Sequence, residues 1–217
     1  MTIRHHPSDE TLLGFAVGTL AAGLRLVVAV HLAGCPACRA HVARLEAIGG
    51  IMLDEAAPAQ MEPDAFARIL AVIDAAPAEK PPRPRAPARQ LTEALPMPAQ
   101  MDACDVGPWR WLGPGRQWRR VTLREDPDTL VVLLRVGPGR RLPSHGHGGV
   151  EMTQVLYGSF ADDRGRYSAG DFAETDEEIH HRPAAGHDTE CVCLVALEAG
   201  IRLDGGLGWI LRRLFGN

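Results

Sequence analysis

Residues 31–38, HLAGCPAC, put an imidazole and two thiols within eight positions, and no other stretch restricts the first third of the chain so tightly. A Cys-x2-Cys pair at a turn brings two thiolates together at small loop-closure cost, and zinc takes thiolate sulfur and imidazole nitrogen in a tetrahedron. His31 stands one helical turn before Cys35. With Gly34 and Pro36 breaking the chain, His31 closes one helix, Cys38 opens the next, and the three side chains can converge. A fourth ligand is still required. His5, His6 and His41 are the candidates ahead of the proline-rich region, and His6 is taken over His5 because it lies nearer the helix start marked by Pro7 and Ser8. Spacing alone leaves those two open. The expected zinc set is His6, His31, Cys35 and Cys38.

The helices around this motif follow from apolar periodicity. Ser8 with Asp9 and Glu10 reads as an N-cap and acidic first turn, opening a helix over residues 9–20. A second helix over 23–33 carries Leu24, Leu26, Val27, Val28, Val30 and Leu32 and is apolar nearly all round, so it must be covered on every side. A third runs over 36–48 and is expected to end at Gly49 and Gly50. Pro63 and Asp64 start a fourth, with Phe66, Ile69, Leu70 and Ile73 on one face. Short helices cannot cover the second one by themselves. Leu24, Val27 and Val28 are therefore expected, together with Phe66, Ile69, Leu70 and Ile73, to grip a partner. A domain this small gains the rest of its stability from metal, since a structural zinc contributes on the order of 10 kcal/mol or more to folding.

This pattern, an upstream His followed by His-x3-Cys-x2-Cys on short helices, is similar to that of the zinc-binding anti-sigma factors. The resemblance implies a 1:1 complex with an extracytoplasmic-function sigma factor, whose surfaces for core RNA polymerase the helices would hide.

Composition narrows the alternatives. The net charge is -4, with both signs mixed along the chain, so no basic stripe offers itself to nucleic acid. Residues 1–6 lack signal-peptide architecture and the longest apolar run, 26–33, is interrupted by His31, so a cytoplasmic protein without a membrane span is expected. Five cysteines in a reducing compartment favour metal over disulfides.

Residues 77–98 hold seven of the 17 prolines and the chain's single lysine, Lys80, and read as an extended spacer. Beyond it the texture becomes short β-rich runs, at 117–123, 129–136, 152–156 and 190–197, separated by Gly and Pro. The expected organisation is a helical domain at 1–78, a linker at 79–104 and a β domain at 105–217.

Within the β domain, residues 139–158 read GRRLPSHGHGGVEMTQVLYG. His145 and His147 can point to one side of a strand, and Glu151, after a Gly-Gly turn, can close on the same ion. The run is similar at every specified position to the first cupin motif, G-x5-H-x-H-x3-E-x6-G. The second motif, G-x5-P-x-G-x2-H-x3-N, is kept only in part: counting from Gly170 lands on His181, while Asp176, Glu178 and Ala185 replace its Pro, Gly and Asn. Spacing selects His181, with His180 as reserve. The set implied by the resemblance is His145, His147, Glu151 and His181, which suits Zn first and also Mn, Fe or Ni.

The expected fold class is thus a small all-α zinc-binding domain followed by an all-β cupin barrel. Zinc domain, linker and cupin together resemble the ChrR-type anti-sigma factors, in which the cupin is implied to control release under oxidative stress from singlet oxygen or organic hydroperoxides. That resemblance implies a regulator and not an enzyme. The alternative is a metal-dependent cupin dioxygenase or isomerase carrying an interaction module. Cys191 and Cys193 fall two apart in an expected strand and read as buried small residues, ahead of a thiol sensor. Cys104, His41 and His187 read as bystanders, and the tail at 209–215 as a cover for the barrel.

Overall fold

A computed structural model describes residues 2–76, 90–92, 95–126, 129–198 and 201–203. Most of the proline-rich linker, and the tail at 209–215, lie outside the described residues. Four helices come first: α1 (Asp9–Ala16), α2 (Ala22–Gly34), α3 (Pro36–Asp54) and α4 (Ala65–Ala75). Strands follow in the order β1 (Gln90–Thr92), β2 (Leu95–Pro96), β3 (Asp105–Val106), β4 (Arg110–Gly113), β5 (Arg116–Thr122), β6 (Leu130–Val136) and β7 (His145–His147). The rest are β8 (Glu151–Tyr157), β9 (Ser159–Asp162), β10 (Gly165–Ser168), β11 (Phe172–Thr175), β12 (Ala184–Ala185), β13 (Cys191–Leu197) and β14 (Ile201–Leu203). The change from helix to strand falls where the composition changes. Compactness divides the chain differently, into one unit of residues 1–46 with 98–217 and a second of 47–97.

In the first unit, a large antiparallel sheet runs β11-β8-β13-β6-β5-β3, with β4 also on β5, and a smaller one runs β10-β9-β12. Between them lies an apolar core that includes Trp118, Val132, Val155, Phe160, Tyr167 and Val195. This is the expected all-β barrel. Along β13 the pleat sends Cys191, Cys193, Val195 and Leu197 into the barrel interior, and Val192, Leu194 and Ala196 to the outer face. Both faces are buried. Gly158, which ends the first motif, sits at φ +68°, and a Cβ there would lie 2.0 Å from the Glu190 carbonyl oxygen, so the strand turn admits only glycine.

The cover on the outer face is α2, which packs across β8 and β13. Val27 and Val28 are 0% exposed, and Leu24 is buried with them. The expectation that α2 stays uncovered until a partner grips it is therefore corrected. Two layers of secondary structure must meet apolar face to apolar face, and the sheet of the same chain supplies the second layer. The approach is close: a Cβ on Gly23 would lie 2.4 Å from Thr129 Cγ2 and 2.7 Å from Val131 Cγ2. Thr129 is held in place by a hydrogen bond from its hydroxyl to Asp126.

The N-terminal segment is strapped to the same sheet. The Asp171 carboxylate accepts from Arg4 N at 2.7 Å, His5 N at 3.1 Å and Ser168 N at 2.8 Å. Phe172 N donates to His5 O at 3.0 Å, and Ser8 N to the Glu174 carboxylate at 3.3 Å. Burial acts to raise the pKa of Asp171, but the three backbone donors outweigh it and hold the carboxyl below the usual range.

Helix ends depart from expectation in two places. The first helix stops at Ala16 and gives way to a turn at Gly18, φ +74°. The third runs through Gly49 and Gly50 to Asp54, because neither glycine takes the left-handed conformation that would stop it. In the second unit α4 keeps its apolar face open. Phe66 is 71% exposed and Leu70 42%, and Ile69 and Ile73 are exposed as well.

Two outcomes follow for stability. Gly23→Ala should destabilise the protein by about 1–3 kcal/mol through overpacking, read as a lower midpoint in denaturant melts. Asp171→Asn can offer only one of the two acceptor oxygens and should cost about 1.5–3 kcal/mol at pH 7. A carboxylate with a depressed folded pKa contributes its stability above the unfolded value and loses it as pH falls through the folded one. The gap in melting temperature between Asp171→Asn and the unsubstituted chain should accordingly close in a pH series descending below about 4.

Candidate metal centres

The first centre is assembled by three local devices. Ser8 N-caps α1, its hydroxyl accepting from Thr11 N at 3.2 Å, which fixes the chain just after His6. His31 sits in the last turn of α2 and Cys35 is its C-cap. Cys38 lies in the first turn of α3, and Arg39 beside it donates to the carbonyls of Leu32 and Ala33, closing the open end of α2. One ligand atom from each of His6, His31, Cys35 and Cys38 falls within 4.8 Å of every other. His6 Nδ1 is 3.4 Å from Cys35 Sγ and 3.3 Å from Cys38 Sγ. Ligand bonds of zinc to nitrogen and sulfur set such an edge at about 3.5 Å in a tetrahedron, so the cage is of the right size.

The tautomer of His31 is set from behind. Its Nδ1 lies 2.9 Å from Gln154 Oε1, and the Gln154 amide nitrogen is committed to Val155 O at 3.1 Å. Nδ1 therefore carries the proton and donates it. Nε2 is left buried with no hydrogen-bond partner, a state expected of a ligand nitrogen. Burial holds the His31 pKa below its ordinary value, which keeps the ring neutral. Burial and a hydrogen bond with Cys35 push the Cys38 thiol up to about 12, so a dication must displace its proton to bind. His5 stays outside, its ring 4.5 Å from that of Tyr167. His41 faces Asp9 at 3.5 Å.

The second centre lies inside the barrel. His145 and His147 alternate with Gly146 along β7, Glu151 opens β8, and His181 is bridged to His145 by reciprocal backbone hydrogen bonds of 3.1 Å. Ligand atoms of His145, His147, Glu151 and His181 all fall within 4.8 Å of one another. His181 Nε2 is 3.2 Å from both His147 Nε2 and His145 Nε2. That edge fits metal–nitrogen bonds of about 2.0–2.1 Å. His145 donates from Nδ1 to Pro143 O at 2.9 Å, and His181 from Nδ1 to Asp162 Oδ2 at 2.9 Å, so both rings turn Nε2 inward. Burial, then the neighbouring His145 and His181, lower the His147 pKa to about 3. Burial raises Glu151 to about 7. This donor set, three imidazoles and one carboxylate, suits a divalent transition metal. His180 is not in the cluster; its ring packs against the backbone of Gly146. Where the second motif lacks its Pro and Gly, Asp176 Oδ1 accepts from Glu178 N at 3.0 Å and makes the turn into His181 instead.

Beside this centre lies a cavity of about 110 Å³, walled by Trp118, Val132, Leu134, Phe160, Cys191 and Cys193. The two thiols face the same way, Sγ to Sγ 3.6 Å, and both are free. Two residues that serve the centres went unread in the sequence. Asp162 lies at a hairpin, where aspartate is an ordinary turn residue, and Gln154 is a lone amide in a strand; neither carries a spacing signal.

Residues 99–200 match the family model described as the ChrR Cupin-like domain. The chain is 38% identical over 221 aligned residues to the Anti-sigma-E factor ChrR of Cereibacter sphaeroides, covering 99% of each. It belongs to the ChrR family of anti-sigma factors. A crystal structure of Rhodobacter sphaeroides SigE in complex with the anti-sigma ChrR matches this ChrR-family chain with a TM-score of 0.73 and 35% identity, covering 91% of this chain and 100% of that one. An RmlC-like cupin protein from Ralstonia eutropha aligns at a TM-score of 0.40 and 15% identity, over 46% of this chain and 68% of that one.

Because Asp162 fixes the ring of His181, Asp162→Asn should weaken divalent metal binding at the barrel centre by about 10–100-fold, measured by competition with a chelator.

Proposed function

We propose that this chain is an anti-sigma factor that sequesters an extracytoplasmic-function sigma factor of the SigE class as a 1:1 heterodimer and keeps it from core RNA polymerase. The observation that carries the reading is the open apolar face of α4, Phe66, Ile69, Leu70 and Ile73, on a chain 38% identical to an anti-sigma-E factor. An exposed apolar stripe of that size is costly in water and is the form in which a helix docks into a partner's groove. The end of α3 adds Ile51, Met52 and Leu53, also exposed. Leu24, Val27 and Val28 are left out of the grip because the chain's own sheet covers them.

In this reading His6, His31, Cys35 and Cys38 hold a structural zinc, and His145, His147, Glu151 and His181 hold a second divalent ion, with zinc the first choice. Residues 1–78 form the sigma-binding part, 79–104 the linker and 105–217 the regulatory part. The cupin controls release in response to oxidative stress from singlet oxygen or an organic hydroperoxide. Support for a sensor comes from the apolar cavity, which brings two free thiols to the side of a metal centre. The protein acts as a regulator and works in the cytoplasm, where its partner meets RNA polymerase. Among the described residues no single helix is long and apolar enough to cross a membrane, and the α2–α3 pair that together passes that test is bent by 117°.

Size-exclusion chromatography of the full chain with a SigE-class sigma factor tests this directly. A 1:1 complex is expected. Phe66→Asp should weaken it by on the order of 2 kcal/mol, about 30-fold in Kd by titration, as for a central apolar anchor. His145→Ala should leave the complex intact and blunt its release by hydroperoxide. Failure of the unsubstituted chain to bind the sigma factor, or unchanged affinity in Phe66→Asp, would overturn the reading.

A further inference from the structure

The four residues of the N-terminal centre come from the helical segment, but two of them are held by the barrel. His31 is 1% exposed, and its Nδ1 lies 2.9 Å from Gln154 Oε1 on β8. The ring of His31 also meets that of Phe172, on β11, at 5.4 Å and 72°. The ring thus meets two residues of the sheet. His6 has no helix beneath it, and the segment that carries it is fastened to the sheet on both sides. Before it, Arg4 N and His5 N donate to Asp171, and His5 O accepts from Phe172 N. After it, Ser8 N donates to Glu174. Cys35 and Cys38, in contrast, lie at the α2–α3 corner.

We infer that Gln154 and Asp171 of the barrel are positioning residues for the N-terminal metal centre: Gln154 orients His31, and Asp171 holds the strap that presents His6. The centre is then a joint between the two halves of the proposed regulator, and it rests on that reading only for the presence of a metal. The geometry also places the joint close to the barrel centre. Along β8 the pleat turns Glu151 and Thr153 into the barrel and Gln154 out toward His31, so one strand contributes to both clusters three residues apart. A ligand ring that loses the acceptor behind it loses its fixed tautomer and orientation, and such losses weaken metal binding by about 10–100-fold.

The test uses the full chain titrated with cobalt(II), reading the thiolate-to-cobalt charge-transfer absorption, which reports the centre that contains thiolates. Loss of the band in Cys35→Ser assigns it to that centre. Gln154→Leu keeps the shape and removes the acceptor, and should raise the cobalt concentration for half-saturation by about 10–100-fold. Gln154→Glu restores an acceptor and should stay within a few-fold of the unsubstituted chain. Asp171→Ala, remote from the ligand atoms, should weaken binding by a comparable factor through His6. Thermal melts of each variant register the barrel, and if Gln154→Leu does not fold, Asp171→Ala decides alone. Unchanged affinity in either folded variant, or equal loss in Gln154→Glu and Gln154→Leu, would overturn the assignment. Absence of the band in the unsubstituted chain would overturn the metal reading itself, a separate result from the first.

Discussion

A neutral imidazole as deeply buried as His31 must place one N–H on an acceptor, and here the acceptor lies 123 residues away on another type of secondary structure. That hydrogen bond requires α2 to lie on the large sheet in one register. Gly23 at the other end of the helix sets the same register by steric means, since only a residue without a side chain fits between the helix and Thr129 with Val131. The two contacts, one polar and one steric, bracket the apolar stretch of α2 and explain why it takes a single position. Apolar contact alone is non-directional and would tolerate sliding.

The ligand clusters were legible in the sequence to the extent that they are local. His31, Cys35 and Cys38 fall on one helix corner, and His145, His147 and Glu151 on one strand pair, so spacing translates directly into geometry. His181 was reached by counting from Gly170 even though the turn residues of its motif were gone, because Asp176 builds a turn of the same length by another route. His6 was a choice between neighbours, and what places it in the cluster is the strap to Asp171 and Glu174, a contact made across more than 160 residues. Gln154, Asp162 and Asp171 are single polar residues whose roles exist only once distant segments meet. Composition and periodicity hold no trace of such meetings.

Of the two apolar faces singled out for a partner, hydrophobic patterning misassigned one, that of α2. The helix apolar on all sides pointed to missing cover, and periodicity could not reveal that a sheet made later in the chain provides it, with Val192, Leu194 and Ala196 turned to its outer face. For α4 the ordinary inference from an amphipathic stripe is packing on the home domain. Instead Phe66 and its neighbours remain in water. Amphipathicity identifies which face will be buried and is silent on what buries it.

This distribution bears on how the proposed regulator would hold a partner and release it. If the grip used α2, the partner would have to compete with the barrel sheet for the same buried face, and uncovering that face would expose Leu24, Val27 and Val28 at a cost of about 1.5–3 kcal/mol each. A grip through α4 carries no such cost, because its face is already exposed and nothing has to be displaced before contact. The buried helix and the exposed one then divide the work. The first ties the candidate N-terminal metal centre to the barrel, through His31 and Gln154, and the second offers exposed apolar surface. In the proposed regulator β8 is the element that the two candidate centres share, since Glu151 faces one and Gln154 the other.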